Sequence, residues 1–299
     1  MSTDWLDGQK RGTIDAATRF RTLLSQKGIS TAGAHDGISG VLAKRAGFEV
    51  LYLSGAALSA SMALPDLGLL TLDDVARRAR EVVRASGLPL IVDADTGFGE
   101  ALNVMRAVRD LEDAGVACLQ IEDQLLPKKC GHLNDKKLAT SDEMCRKVLA
   151  ARKAASRLVV CARTDAAAVS LDEAITRAKA YAAAGAELIF VEALTTLDAI
   201  KRVREEIDVP LLANMTEFGR TPLIPLSQWK ALGYEIVIYP VSAFRVSARA
   251  IRDFYAALAA QGEVGAQLYR MMTRAELYET IGYYDYEALD TSIAATTLP

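Results

Sequence analysis

The sequence predicts an α/β fold, a (β/α)8 barrel of the TIM type, on three observations. Eight short apolar runs alternate with helix-like stretches along the chain. The runs are nearly continuous in Val, Ile and Leu, as parallel strands buried on both faces require. No linker or shift in composition interrupts the pattern, so residues 1–299 read as a single β/α barrel domain, with an N-terminal arm over about 1–28 and a C-terminal helical extension over about 262–299.

The elements follow in order. After the polar arm, the first run ends at Ala34 and the second spans Phe48 to Ser54. The helix-like stretch Leu72 to Ala85 leads into Leu88 to Asp93, and Leu102 to Ala114 leads into Val116 to Glu122. Gly87 and Gly115 stand where a helix C-terminus favours a residue that accepts positive φ. Leu158 to Ala162, Leu188 to Glu192, Pro210 to Ala213 and Glu235 to Tyr239 complete eight runs, the number that closes a barrel. An open doubly wound sheet is the alternative, but Ala32-Gly33-Ala34-His35-Asp36-Gly37 lacks the GxGxxG phosphate turn. Beyond the eighth run the chain continues through Ser242 to Ala260 and Thr273 to Ala295, with Tyr278, Tyr283, Tyr284 and Tyr286. Such a tail is expected to pack on something, for instance another subunit.

Composition narrows the function. A net charge of -3, with acids and bases mixed and no basic stripe, argues against nucleic acid as a partner. The N-terminus carries no apolar leader and no run reaches the ~18 apolar residues of a membrane span, so a cytoplasmic protein with no membrane partner is expected. Cys118, Cys130, Cys145 and Cys161 show no CxxC pairing, which argues for free thiols over zinc or disulfides.

In a β/α barrel the chemistry gathers where strands end. Those positions are acidic here: Asp93-Ala94-Asp95-Thr96-Gly97-Phe98-Gly99, Glu122-Asp123, Arg163-Thr164-Asp165 and Glu192. Two aspartates one residue apart on a strand point the same way, so Asp93 and Asp95, with Glu122 beside them, suit a hard cation, Mg2+ or Mn2+. A lone aspartate in such a place is more often a helix cap, and it is the cluster that favours metal. After the fourth run comes Lys128-Lys129-Cys130-Gly131-His132, where two lysines and a histidine would lower a thiol pKa and attract anions. Solvated loop charges around an incidental thiol are the competing account. Arg163 is either a bidentate carboxylate clamp or the ion-pair partner of Asp165 or Glu192. His35 is expected to be a hydrogen-bonded structural histidine and Asp36 a helix cap.

With these residues in place, the chain resembles the isocitrate lyase and phosphoenolpyruvate mutase superfamily, most closely its methylisocitrate lyase branch. The likeness rests on Tyr52-Leu53-Ser54-Gly55, Leu64-Pro65-Asp66-Leu67-Gly68, the Asp93 to Gly99 segment, Lys128 to His132 and Leu212 to Gly219, and on the tyrosines of the tail. It implies a Mg2+-dependent lyase that cleaves 2-methylisocitrate to pyruvate and succinate in propionate catabolism. Asp93, Asp95 and Glu122 would organise the metal with Asp66 in the same pocket. Tyr52, Ser54 and Gly55 would meet the 2-oxo-acid portion, while Arg163, Glu192 and Asn214 would bind substrate carboxylates or the metal-bound fragment, with Phe190 and Gly131 lining the substrate. Lys128, Cys130 and His132 would lie on a mobile loop, Cys130 protonating the succinate carbanion. The resemblance also implies a homotetramer with exchanged C-terminal helices and a small di- or tricarboxylate as ligand. Val191 stands where methylisocitrate lyases often have proline, which leaves dimethylmalate lyase or an oxaloacetate-cleaving enzyme as alternatives. Isocitrate lyase is a further alternative, less well matched because Phe190 stands where those enzymes carry tryptophan. A non-catalytic binding barrel is the alternative of a different class.

Overall fold

Apolar runs buried on both faces pair as parallel strands, and the computed structural model, which describes residues 3, 5–6, 15–129, 131 and 136–296, has eight of them. They are β1 (Ile29–Gly33), β2 (Val50–Leu53), β3 (Leu90–Asp93), β4 (Cys118–Glu122), β5 (Val159–Thr164), β6 (Leu188–Val191), β7 (Leu211–Asn214) and β8 (Ile236–Tyr239). Each pairs with the next and β8 pairs back onto β1, closing the barrel. The open-sheet alternative is thereby excluded. Register sets the later chemistry: Asp93 lies opposite Gln120, Glu122 opposite Arg163, and Arg163 opposite Phe190.

Around the strands run α2 (Gly37–Arg45), α3 (Gly55–Ser61), α4 (Leu72–Ser86), α5 (Ala101–Asp113), α6 (Ser141–Ala154), α7 (Leu171–Ala183), α8 (Leu197–Glu206) and α9 (Leu226–Ala231), preceded by α1 (Ala16–Leu24). Their starts are read from local chemistry. Thr71 and Thr140 form capping boxes with Asp74 and Glu143, and Asp36 does so with Ser39, the cap expected of it. Gly87 ends α4 at φ 66°, and Gly115 sits at φ 87° after α5, as their positions require. In α4, Val75, Ala76, Ala79 and Val82 recur at helical spacing and are buried against the sheet.

Two apolar layers result. Strand residues facing outward pack with the helices, whereas Val50, Ile91, Cys118, Val159, Leu188 and Ile236, at or near the strand starts, form an inner layer with Phe20, Leu23 and Leu24 of α1. Helix α1 therefore plugs the N-terminal end of the barrel and leaves the C-terminal mouth for polar groups. Phe20 is fully buried there, and removing its ring would cost about 3 to 5 kcal/mol.

The chain divides into two compact units, residues 15–244 holding the barrel and residues 1–14 with 245–299 forming the other. Helix α10 (Ser242–Gln261) is followed by α11 (Arg274–Ile281) and α12 (Tyr283–Ala294). The stretch from Thr273 to Ala295 is thus two helices, separated by Gly282 at φ 70°. Tyr278 and Tyr283 stack with ring centroids 4.5 Å apart, and Trp5 donates its indole N–H to the Tyr286 hydroxyl. Much of this unit's apolar surface, including Val246, Tyr255, Leu268 and Tyr269, is exposed. No helix among the described residues is long and apolar enough to cross a membrane. Cys118, Cys145 and Cys161 are free thiols.

Candidate active site at the C-terminal mouth of the barrel

Three connected groups of side chains occupy the mouth. The first is built from β2, β3 and β4. Tyr52 donates its hydroxyl hydrogen to Gln120 Oε1 at 2.8 Å, and Gln120 Nε2 donates to Asp93 Oδ1 at 3.3 Å. Burial holds the Tyr52 phenol well above its usual pKa, with Asp93 adding to the effect, so it remains a donor. Asp93 also accepts the backbone N–H of Gly55 on Oδ2 and of Asp95 on Oδ1, both at 3.2 Å. A Cβ on Gly55 would lie 3.2 Å from Asp93 Oδ2 and 3.3 Å from Asp95 Oδ1, so the bare backbone is what lets this turn approach both carboxylates. Ser54 caps α3, its Oγ accepting from Ala57 N at 3.4 Å.

Asp93 and Asp95 face the same place, but not by strand alternation. Asp93 is the last residue of β3, whereas Asp95 lies beyond the strand at φ 48°, a left-handed turn that brings its carboxylate back. The second group forms there. Lys128 is nearly buried and its ammonium pairs with Asp66 and, at 2.6 Å, with Asp95 Oδ1. Burial acts to lower the Lys128 pKa, but Asp93, Asp95, Glu122 and Asp66 together raise it, so the cation is firmly held. Asp95 is pushed up to about 6 by burial and by Asp93, against the pull of Lys128. A cavity of about 410 Å³ adjoins Asp95 on the side of Leu70, Phe98, Asn103, Arg106 and Leu126; its lining includes neither Arg163 nor Glu192.

The third group centres on Arg163, at the end of β5. Its Nε and NH2 donate to the two oxygens of Asp165 at 2.9 and 3.1 Å. NH1 faces Glu122 Oε2 at 3.2 Å and Glu192 Oε2 at 3.5 Å, and the guanidinium lies 5.2 Å from the centre of the Phe190 ring. Asn214 Nδ2 donates to Glu192 Oε2 at 3.2 Å. Gly131 presses against this group, since a Cβ there would collide with Arg163 NH2 and with Glu192 Cγ. Arg163 thus makes the ion pairs with Asp165 and Glu192 that the sequence offered as the alternative to a substrate clamp, with Glu122 as a third partner.

Among the described residues, no three His, Cys, Asp or Glu side chains are gathered as a closed metal cage. The donors nevertheless suit a hard cation: all are carboxylate oxygens. Among the described residues, buried Glu122 Oε1 finds no hydrogen-bond donor, and Asp95 Oδ1 is met by the Lys128 ammonium. Glu122 is pushed well above the usual carboxylate range, chiefly by burial and against the pull of Arg163, so its ionised form calls for more positive charge than Arg163 provides.

Cys130 and His132 lie outside the described residues. His35 packs edge to face on Phe244 with its Nε2 3.5 Å from Asp36 Oδ2; burial lowers its pKa, in keeping with a structural histidine. Sequence reasoning passed over Gln120 and Lys136, and it placed Asp123 among the acidic strand ends without giving it a role. Gln120 had a signal, an amide inside an otherwise apolar strand core. Asp123, buried, accepts from Thr164 Oγ1, Asp165 N and Tyr181 OH at 2.7, 3.0 and 2.8 Å and pairs with Arg177; those partners are 41 to 58 residues away and leave no local trace.

A family model described as phosphoenolpyruvate phosphomutase matches residues 20–259. The chain is 50% identical to the 2-methylisocitrate lyase of Bacillus subtilis over 297 residues, covering 99% of each. A crystal structure of 2,3-dimethylmalate lyase, a PEP mutase/isocitrate lyase superfamily member, superposes with a TM-score of 0.89 at 33% identity, over 94% of this chain and 96% of that one. A phosphonopyruvate hydrolase in complex with oxalate and Mg++ superposes at 0.84 with 29% identity, over 93% and 99%. A likeness that begins in the plug helix, passes through all eight strands and holds at half identity over a relative's whole length makes this chain a member of the phosphoenolpyruvate phosphomutase family, within the isocitrate lyase superfamily.

Proposed function

We propose that this chain is a carbon-carbon lyase that cleaves 2-methylisocitrate into pyruvate and succinate, a step of propionate catabolism by the methylcitrate cycle. The observation that carries the reading is half identity, end to end, with a 2-methylisocitrate lyase. The site supports it. Six carboxylates (Asp66, Asp93, Asp95, Glu122, Asp165, Glu192) face three cations (Lys128, Arg163, Lys136) at the mouth. A tricarboxylate would enter such a field badly unless a divalent cation came with it.

Mg2+, or Mn2+ in its place, would be held by Asp93, Asp95 and Glu122 with Asp66 nearby, supplying Lewis-acid polarisation of the hydroxyl and carboxylate that become pyruvate. Arg163 would bind a substrate carboxylate through the NH1 edge that now meets Glu122 and Glu192, and Asn214 would orient Glu192. Gly55, and Ser54 beside it, would contact the 2-oxo-acid end, whereas Tyr52 would support it from below through Gln120. Lys128 would stabilise negative charge as it develops. Loss of the hydroxyl proton makes the ketone of pyruvate, and the electrons of the broken carbon-carbon bond pass to the succinate carbon. Cys130 would return a proton there, in the cationic setting of Lys128, Lys129 and His132, a role proposed on the sequence. Phe190, under Arg163, would bound the space for the substrate methyl.

The proposal extends to a cytoplasmic homotetramer with exchanged C-terminal helices, supported by the exposed apolar side chains of α10 to α12; mass by light scattering tests it. The function is tested by pyruvate release from 2-methylisocitrate, 2,3-dimethylmalate, isocitrate and oxaloacetate. Highest kcat/KM on 2-methylisocitrate is expected. Preference for 2,3-dimethylmalate would reassign the substrate, and no release from any acid would leave a binding barrel.

A further inference from the structure

Lys136 stands outside the motifs that mark this family in the sequence, yet its side chain is 3% exposed. A buried ammonium is unfavourable unless it is well paired. Among the described residues this one is paired with Asp165 Oδ1 at 2.6 Å and with the backbone carbonyl of Gly131. Asp165 is also the carboxylate that takes Nε and NH2 of Arg163, so one acid serves two cations. Its own place is set from behind, where its backbone N–H donates to Asp123.

The sharing has an electrostatic consequence. Arg163 already meets Glu122 and Glu192 with NH1. Were Asp165 paired to Arg163 alone, three carboxylates would draw on a single guanidinium and leave little field for an incoming anion. Lys136 answers part of the Asp165 charge. There is a steric consequence too, because Lys136 holds the carbonyl of Gly131, a residue with no room for a Cβ beside Arg163 and Glu192.

We propose that Lys136 is a positioning residue of the carboxylate-binding end of the site, acting on Arg163 through Asp165 and Gly131 without touching substrate. This deepens the lyase reading and rests on it for the identity of the anion. The test compares wild type, Lys136→Met and Lys136→Arg by calorimetric binding of oxalate with Mg2+ present, and by turnover of 2-methylisocitrate. In Lys136→Met, oxalate affinity is expected to fall and KM to rise by about tenfold, with kcat changed by less than about threefold. Lys136→Arg, which keeps the charge, is expected to restore both. Unchanged oxalate affinity in a folded Lys136→Met overturns the proposal. So does an equal loss in both variants with a lowered Tm, the mark of a merely structural lysine. If the methionine variant does not fold, Lys136→Gln takes its place in the same comparison. Wild type that binds oxalate but does not cleave 2-methylisocitrate defeats the lyase reading while the binding comparison still decides Lys136; wild type that binds no oxalate overturns the proposal.

Discussion

Arg163 and Asp165, two residues apart at the end of β5, meet edge to edge, with Nε and NH2 each donating to a separate carboxylate oxygen. This two-point contact fixes the plane of the guanidinium and leaves NH1 as the edge turned toward Glu122 and Glu192. A lysine at position 163 would keep the charge but lose the plane. Arg163→Lys is therefore expected to lower kcat/KM by about 10^2, from the loss of two charge-assisted hydrogen bonds at roughly 1.5 kcal/mol each. Steady-state kinetics check it, and retention of more than half the activity would mean that charge alone suffices.

Gly131→Ala is a steric test of the same region. The added methyl would meet Arg163 NH2 and Glu192 Cγ well inside contact distance, and Arg163 cannot swing away without breaking its hold on Asp165. The variant should lose activity by about tenfold or more while keeping its Tm, since the strain falls on the site and not on the barrel core. Activity and Tm falling together would place Gly131 in the fold's stability instead.

Chelation should abolish turnover, and Mg2+ or Mn2+ should restore it. A second readout needs no substrate: adding Mg2+ should raise the Tm of wild type, because a cation bound to the folded chain stabilises it by mass action. Asp93→Asn should blunt that rise, as it removes charge from the carboxylate held between Gly55 and Gln120. A Tm indifferent to Mg2+ in wild type would speak against a resident cation.

Cys130→Ser keeps the size of the side chain and removes its usable acid. A fall in kcat of about 10^2 to 10^4 is expected, with substrate affinity little changed. Near-normal kcat would make Cys130 an incidental thiol.

Far from the mouth, Glu112 accepts from Ser156 N and Oγ, Arg157 N and Leu158 N at 2.7 to 2.9 Å, tying the end of α5 to the start of β5. Burial acts to raise its pKa, but these bonds prevail and hold it below the usual carboxylate value. Glu112→Ala should cost about 2 to 3 kcal/mol. Because the folded-state pKa is depressed, the contribution is full above the unfolded value of roughly 4.3 and is lost as pH falls through the folded one. The Tm gap between wild type and Glu112→Gln, measured from pH 7 to 3, should accordingly narrow at the acid end; a constant gap would refute the linkage.

Much of the barrel was legible because its signals are local. The apolar runs from Val50 to Leu53 and from Leu188 to Val191 are buried throughout, and Gly87 and Gly115 take the positive φ that their helix ends demand. The acidic strand ends were legible for the same reason, since a carboxylate closing an apolar run is conspicuous. What failed to show depended on the turn after the strand or on distance in sequence. Asp95 reaches Asp93 through a left-handed residue, not by alternation. Lys136 finds Asp165 across 29 residues, and in the sequence it is one lysine of a charged pair with Lys137. Gly282 reads as any helix-ending glycine, yet it divides the tail into two short helices.

The rung from Tyr52 through Gln120 to Asp93 has a direction. A carboxylate can only accept, so the amide must turn its NH2 toward Asp93 and its oxygen toward Tyr52, which leaves the phenol no choice but to give its hydrogen. The rung thus behaves as a one-way relay, with both of its side-chain hydrogens aimed along the path from Tyr52 to Asp93. Reversing any link would turn two donors or two acceptors on each other in a space that admits no solvent to reconcile them. Substrate preference in this fold can consequently drift through the loops above Asp93, while the strands beneath hold their polarity for as long as residue 93 is a carboxylate.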